Sequence, residues 1–183
     1  IEGPNEIEDL FFSTRSLHKK SALLTCAYKT HSDAKNFLGL ALRITGTCGD
    51  ARFETVHAMR FVCGRFDFTI EEPLIWWPNG YGAANVYDVK AELLKDGEVV
   101  AEYFTSLGVR TVRLDRTEIT DSYGGEFCFV VNGEKILCKG SNWVPADALH
   151  SRDAGRYEEM LSLWVDTQSN ILRCWGGNVY EDH

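Results

Sequence analysis

Apolar residues recur along this chain in two rhythms, and the change between them near residue 113 divides its organisation. Before that point the runs are short and alternating. Tyr87, Val89, Ala91 and Leu93 are separated by Asp88, Lys90 and Glu92, the period-two pattern of a strand with one apolar and one wet face. Lys95-Asp96-Gly97 then supplies a turn tolerant of positive φ, and residues 99–104 return as a second arm. Residues 23–28, 37–44 and 65–70 are further strand-length runs between polar or glycine-containing turns. Roughly seven short strands at this spacing, with no convincing helix among them, predict an immunoglobulin-like β-sandwich over residues 1–113. Such a scaffold carries no function by itself.

After residue 113 the rhythm changes. Residues 126–131, Asn132-Gly133 and residues 134–138 spell a β-hairpin around a strong two-residue turn signal. Its second arm runs into Lys139-Gly140-Ser141-Asn142-Trp143-Val144-Pro145-Ala146-Asp147, an apolar run that ends in a loop bearing an amide, an indole and a carboxylate. Ser151 or Asp153 is placed to cap a helix, in which Tyr157, Met160, Leu161, Trp164 and Gln168 share one buried face and Asn170 is the stop. Residues 171–175 form a second short run, with Arg173 and Trp175 on one side and Leu172 and Cys174 on the other. Strand, loop, helix, strand is the grammar of a parallel crossover. It puts both loops at the carboxyl ends of the strands, where α/β enzymes gather their site residues.

Composition narrows the functional classes. Nineteen basic against twenty-seven acidic residues give a net charge of -8, with Lys and Arg scattered, which argues against nucleic acid as a partner. No run approaches the roughly 20 apolar residues of a membrane helix, and Ile1-Glu2-Gly3-Pro4 reads as a cut inside a longer chain. Six cysteines without a Cys-x-x-Cys pair read as free, largely buried thiols. Five histidines with no i, i+4 partner give no zinc site, and nothing in the sequence calls for a metal or other cofactor.

Two further features bear on chemistry. Pro73-Leu74-Ile75-Trp76-Trp77-Pro78-Asn79-Gly80-Tyr81-Gly82 sets two tryptophans between prolines. Paired indoles can stack on sugar rings, but large aromatics more commonly cover the end of a sandwich or a domain seam, and that is the reading preferred here. Arg110, Arg113 and Arg116, three apart, are read as solvated or paired with acids rather than as ligand clamps.

These segments together resemble glycoside hydrolase family 2, particularly its β-mannosidase branch. Residues 139–147, Arg156-Tyr157 and residues 170–181 look like the start of that family's catalytic barrel. Trp76-Trp77-Pro78-Asn79-Gly80-Tyr81-Gly82 and Leu107-Gly108-Val109-Arg110-Thr111-Val112 resemble two signatures of its middle domain. Four matches in order cover most of the chain after residue 70.

The resemblance implies an immunoglobulin-like sandwich followed by the first β/α units of a truncated (β/α)8 barrel over residues 114–183. It implies a retaining exo-acting enzyme that removes terminal β-mannosyl residues from oligosaccharides, using two glutamates roughly 5 Å apart. Both belong to later barrel strands. The acid/base normally follows an asparagine, and the only Asn-Glu pair here, Asn5-Glu6, is at the wrong end. The chain alone is therefore expected to be inactive and to lack the rest of its own barrel, with self-association through the unpaired strand edge as one consequence. By similarity Trp175 would wall the terminal sugar's subsite, Arg173 would orient carboxylates or hydroxyls, and Asn142, Trp143 and Asp147 would line the same mouth. An exported, periplasmic or lysosomal enzyme is implied, with the cytoplasm left open.

Departures from the pattern are few. Asn178 stands where a third glycine is common, Cys174 replaces an aliphatic residue, and the loop after Trp143 lacks the histidine-rich sequence of the β-galactosidase and β-glucuronidase branches. Exo-β-glucosaminidase and β-galactosidase-like members are the alternatives within the family. A non-catalytic carbohydrate-binding or interaction sandwich is the alternative outside it.

Overall fold

A computed structural model of the 183-residue chain describes residues 4–33, 36–116, 127–145, 152–153, 155–174 and 176. The chain divides into two compact units, residues 1–76 with 84–111, and residues 77–83 with 112–183.

The first unit is built from seven antiparallel strands: β1 (Asn5–Leu17), β2 (Ser21–Ser32), β3 (Leu40–Cys48), β4 (Ala51–Ala58), β5 (Cys63–Glu71), β6 (Tyr87–Lys95) and β7 (Glu98–Leu107). They form a three-stranded sheet in the order β1-β2-β5 and a four-stranded sheet in the order β4-β3-β6-β7. The period-two pattern dictates the packing between them. Leu24 and Ile70 from one sheet meet Leu42, Ile44, Tyr87, Ala91 and Leu93 from the other in one core, each 1% exposed or less. Each leucine or isoleucine among them contributes roughly 1.5–3 kcal/mol of burial. Tyr87 keeps its hydroxyl satisfied there by accepting the Leu74 amide at 2.8 Å.

The outer face of the four-stranded sheet is less wet than alternation predicts. Glu92 is only 7% exposed, because Arg43 Nε and Lys90 Nζ close on its carboxylate at 2.7 and 2.9 Å. Lys90 also reaches Glu102 at 2.7 Å. Burying a carboxylate is tolerable only with such partners.

Asp96-Gly97, with φ of 52° and 89°, makes the tight turn between β6 and β7, as the sequence predicts. The run starting at Phe37 begins later than its hydropathy suggests, since residues 38 and 39 turn and Gly39 sits at φ 75°. All six cysteines are free, but only Cys26 is buried, and Cys63, Cys138 and Cys174 are exposed. The expectation of largely buried thiols is corrected accordingly. Burial pushes the Cys26 thiol up to about 12.

The second unit contains β8 (Val112–Arg116), β9 (Phe127–Val131) and β10 (Glu134–Ile136) as a three-stranded antiparallel sheet. Asn132-Gly133 turns between the last two with φ of 52° and 89°. Then come β11 (Gly140–Trp143), helix α1 (Tyr157–Asp166) and β12 (Ile171–Cys174), with β11 and β12 paired in parallel. The strand, helix, strand order and its parallel pairing match the sequence pattern.

Two helix details differ from expectation. The N-cap is Arg156, with no side-chain cap hydrogen bond, and Asp153 instead accepts the Arg156 amide through its main-chain oxygen at 2.9 Å. Ser151 lies outside the described residues. The helix also ends before Gln168. That residue adopts φ 56°, the Gln168 amide bonds to the Val165 carbonyl and the Ser169 amide to the Trp164 carbonyl, a left-handed C-terminal cap that takes Gln168 off the helical face. No residue of α1 is buried: Leu161, Leu163 and Val165 are exposed, while Tyr157, Met160 and Trp164 are half-buried.

Candidate functional site

The parallel pairing of β11 with β12 decides what the predicted site residues can do together. Register sets Gly140 opposite Ile171, Ser141 opposite Leu172, Asn142 opposite Arg173 and Trp143 opposite Cys174. Asn142 and Arg173 thus sit side by side near the carboxyl ends of two adjacent strands. Their side chains meet, the Arg173 Nη1–H donating to the Asn142 Oδ1 at 2.9 Å. Both are exposed. Among the described residues Arg173 forms no ion pair, so its planar, permanently charged fork is oriented by a neutral amide.

Trp143 is half-buried and its ring lies 6.3 Å from that of Tyr157, tilted by 50°. It packs against the start of α1, the placement of a residue that fixes the helix on the strand as much as one that meets a ligand. Asp147 and Trp175, the other two predicted site residues, lie outside the described residues. The structure therefore brings Asn142 and Arg173 into contact and places Trp143 one residue beyond Asn142.

The tryptophan pair divides between the two units. Trp76 belongs to the first unit, where the Arg110 guanidinium lies 4.7 Å from its ring centroid and donates to the Gly108 carbonyl at 3.0 Å. Arg110 is exposed and, among the described residues, makes no ion pair; its guanidinium is a cation–π partner of Trp76. Arg113 does pair with an acid, Asp115, at 2.9 Å. Trp77 belongs to the second unit, where its side chain lies over Gly82; a side chain at position 82 would collide with the indole.

Sequence reasoning missed three contributors. Asn170 was expected only to stop the helix. Its Oδ1 accepts the Lys139 amide at 2.9 Å and its Nδ2 donates to the Leu137 carbonyl at 3.0 Å. Tyr81 accepts the Leu137 amide at 2.7 Å, and Asn79 donates to the Ser169 carbonyl at 3.1 Å. The available signal was the polar content of Trp77-Pro78-Asn79-Gly80-Tyr81-Gly82, whose amide and phenol stand on a turn with Gly80 at φ 83°.

No group of His, Cys, Asp or Glu among the described residues is arranged to hold a metal ion. No described helix is long and apolar enough to cross a membrane.

The seven-stranded, two-sheet unit is the part of the chain that a known family matches. Residues 5–110 match the family model of glycosyl hydrolases family 2, and the chain belongs to that family. Among curated relatives, β-mannosidase B of Aspergillus terreus is 40% identical over 116 residues, covering 63% of this chain and 14% of that protein. Its counterpart in Emericella nidulans is 35% identical over 116 residues, with the same coverage. Among solved structures, the β-D-mannosidase of Dictyoglomus thermophilum superposes with a TM-score of 0.80 at 26% identity, over 98% of this chain and 22% of that one. The exo-chitosanase CsxA of Amycolatopsis orientalis superposes with a TM-score of 0.69 at 19% identity, over 97% and 21%, a likeness of fold. The chain thus spans about one-seventh of the length of the curated relatives it matches.

Proposed function

We propose that this chain is part of a retaining, exo-acting glycoside hydrolase that removes terminal β-mannosyl residues. In this reading residues 1–113 are an immunoglobulin-like spacer and residues 114–183 are the opening β/α units of a (β/α)8 barrel. The seven-strand, two-sheet order supports the first assignment. The parallel β11-α1-β12 unit supports the second.

The observation that carries the functional reading is the Asn142–Arg173 contact at the carboxyl ends of paired parallel strands. In a barrel enzyme that edge is the mouth of the active site. A fixed guanidinium and amide are suited to sugar hydroxyls, whose hydrogen bonds strengthen as an oxocarbenium-like transition state forms. Asn142, Arg173, Trp143, Asp147 and Trp175 would line the near side of the pocket holding the terminal sugar. The two catalytic glutamates would come from strands beyond this chain, which by itself would be inactive. Identity of 40% to β-mannosidases favours mannose as that sugar.

The test is initial rates of the full-length enzyme on aryl β-mannoside, β-glucosaminide, β-galactoside and β-glucuronide. The mannoside should be preferred at least about tenfold in kcat/KM, roughly 1.4 kcal/mol of transition-state discrimination. Activity on none of the four would overturn the exo-glycosidase reading, and preference for the glucosaminide would move the specificity within the family.

A further inference from the structure

We propose that Asn170, together with Asn79 and Tyr81, is a positioning residue for the sugar site, clamping the amino ends of β11 and β12 in the register that sets Asn142 beside Arg173. The proposal rests on the reading of those two residues as part of the pocket.

The problem the clamp solves is one of register. β11 and β12 are four residues each and are joined through a long crossover containing α1, so no tight turn fixes their alignment, as one does in a hairpin. A slip of one residue would turn Asn142 to the opposite face and part it from Arg173. Backbone hydrogen bonds over so short a ladder are few.

The structure places side chains where the ladder begins. Lys139, immediately before β11, has both main-chain groups taken by Asn170: its amide by the Asn170 Oδ1 at 2.9 Å, its carbonyl by the Asn170 amide at 2.8 Å. Leu137 likewise has both taken, its carbonyl by the Asn170 Nδ2 at 3.0 Å and its amide by the Tyr81 hydroxyl at 2.7 Å. Asn79 holds the neighbouring segment through the Ser169 carbonyl at 3.1 Å. One planar amide that both accepts and donates matches a main-chain segment in a single alignment only. An aspartate would lose the donor and set an anion against the Leu137 carbonyl. The Trp77–Gly82 loop thus acts through the strand ends far from the carboxyl edge, not as a sugar-stacking surface.

The experiment uses the full-length enzyme with an aryl β-mannoside, comparing wild type with Asn170→Ala, Asn170→Asp and Tyr81→Phe, and with Asn142→Ala and Arg173→Ala in parallel. Amide exchange at Leu137 and Lys139 reads the clamp without substrate. Both Asn170 variants should raise KM about tenfold. Asn170→Ala should also expose the Lys139 amide to fast exchange, whereas Asn170→Asp keeps the acceptor for that amide and loses only the donor to the Leu137 carbonyl. Tyr81→Phe should show a smaller rise in KM and faster exchange at Leu137. A residue that only holds the fold together would lower the active fraction, and so apparent kcat, while leaving KM unmoved. Unchanged KM in the Asn170 variants alongside raised KM in Asn142→Ala and Arg173→Ala overturns the clamp and leaves the pocket standing. Unchanged kcat/KM in Asn142→Ala and Arg173→Ala overturns the pocket reading and the positioning role with it. Slow Lys139 exchange in Asn170→Ala overturns the clamp on its own terms. Where Asn170→Ala fails to fold, Tyr81→Phe decides by the same two readouts.

Discussion

Arg173 donates from Nη1 to the side-chain oxygen of Asn142 at 2.9 Å, and the two are register partners on neighbouring parallel strands. Residues that act through one shared contact give non-additive losses when truncated. In the full-length enzyme, Asn142→Ala and Arg173→Ala should each lower kcat/KM on an aryl β-mannoside. The double variant should lose less than the sum, with a coupling of about 0.5–1 kcal/mol for this solvent-exposed contact. Strictly additive losses would show that the two side chains act independently.

Gly140 lies hard against its neighbour in the same strand pair. A methyl group there would collide with the main-chain carbonyl oxygen of its register partner Ile171, and a backbone atom cannot rotate away as a side chain can. Gly140→Ala should therefore part β11 from β12 and speed amide exchange across residues 141–143. Gly155→Ala is the matched control, since its added methyl would meet the Arg152 carbonyl at an ordinary 3.7 Å. It should leave exchange unchanged.

The buried carboxylate of the first unit gives a pH-dependent prediction. Hydrogen bonds from Arg43 and then Lys90 hold Glu92 below the usual carboxylate range. The unfolded chain takes up this proton at higher pH than the folded one. The stabilisation is thus complete above the ordinary carboxylate pKa and is lost as pH falls through the lowered value. Glu92→Gln should lower the melting temperature at pH 7 by roughly 2–4 °C. The gap to wild type should close as pH falls below about 4, which thermal melts across that range would read directly.

His57 titrates in a higher window, with the same sign. Its imidazole lies flat on Phe66, ring centroids 4.2 Å apart and planes within 2°, with Tyr28 at 5.8 Å. Burial, and then the charge of Arg60, keep its pKa below the ordinary histidine value. The unfolded chain therefore binds this proton first, and the stability of the domain declines as pH falls below about 6.5 and levels off under the folded value. His57→Leu should flatten the change in melting temperature between pH 7 and 5. An unchanged slope would assign the pH dependence elsewhere.

Sequence legibility followed the strength of local signals. Tyr87, Val89, Ala91 and Leu93 alternate cleanly and are all 2% exposed or less. Asp96-Gly97 and Asn132-Gly133 dictate their turns because few residues tolerate positive φ. β1 was harder to see, since Asn5–Leu17 is largely polar and gains its place by pairing with β2. Glu92 reads as a surface residue until the cross-strand positions of Arg43 and Lys90 are known. At the candidate site the pairing of Asn142 with Arg173 follows from register, which no local pattern encodes. Asn79, Tyr81 and Asn170 were invisible for the same reason: their partners are main-chain groups distant in sequence.

The central claim, that the loops after β11 and β12 form one side of a mannose pocket, is tested most directly by measuring kcat/KM of the full-length enzyme on an aryl β-mannoside for Asp147→Ala and Trp175→Ala. Both should fall by about a hundredfold or more, consistent with lost contacts to the sugar in the transition state. Wild-type kcat/KM in both variants would contradict the account and return the Trp143–Asp147 and Trp175 segments to a purely structural role.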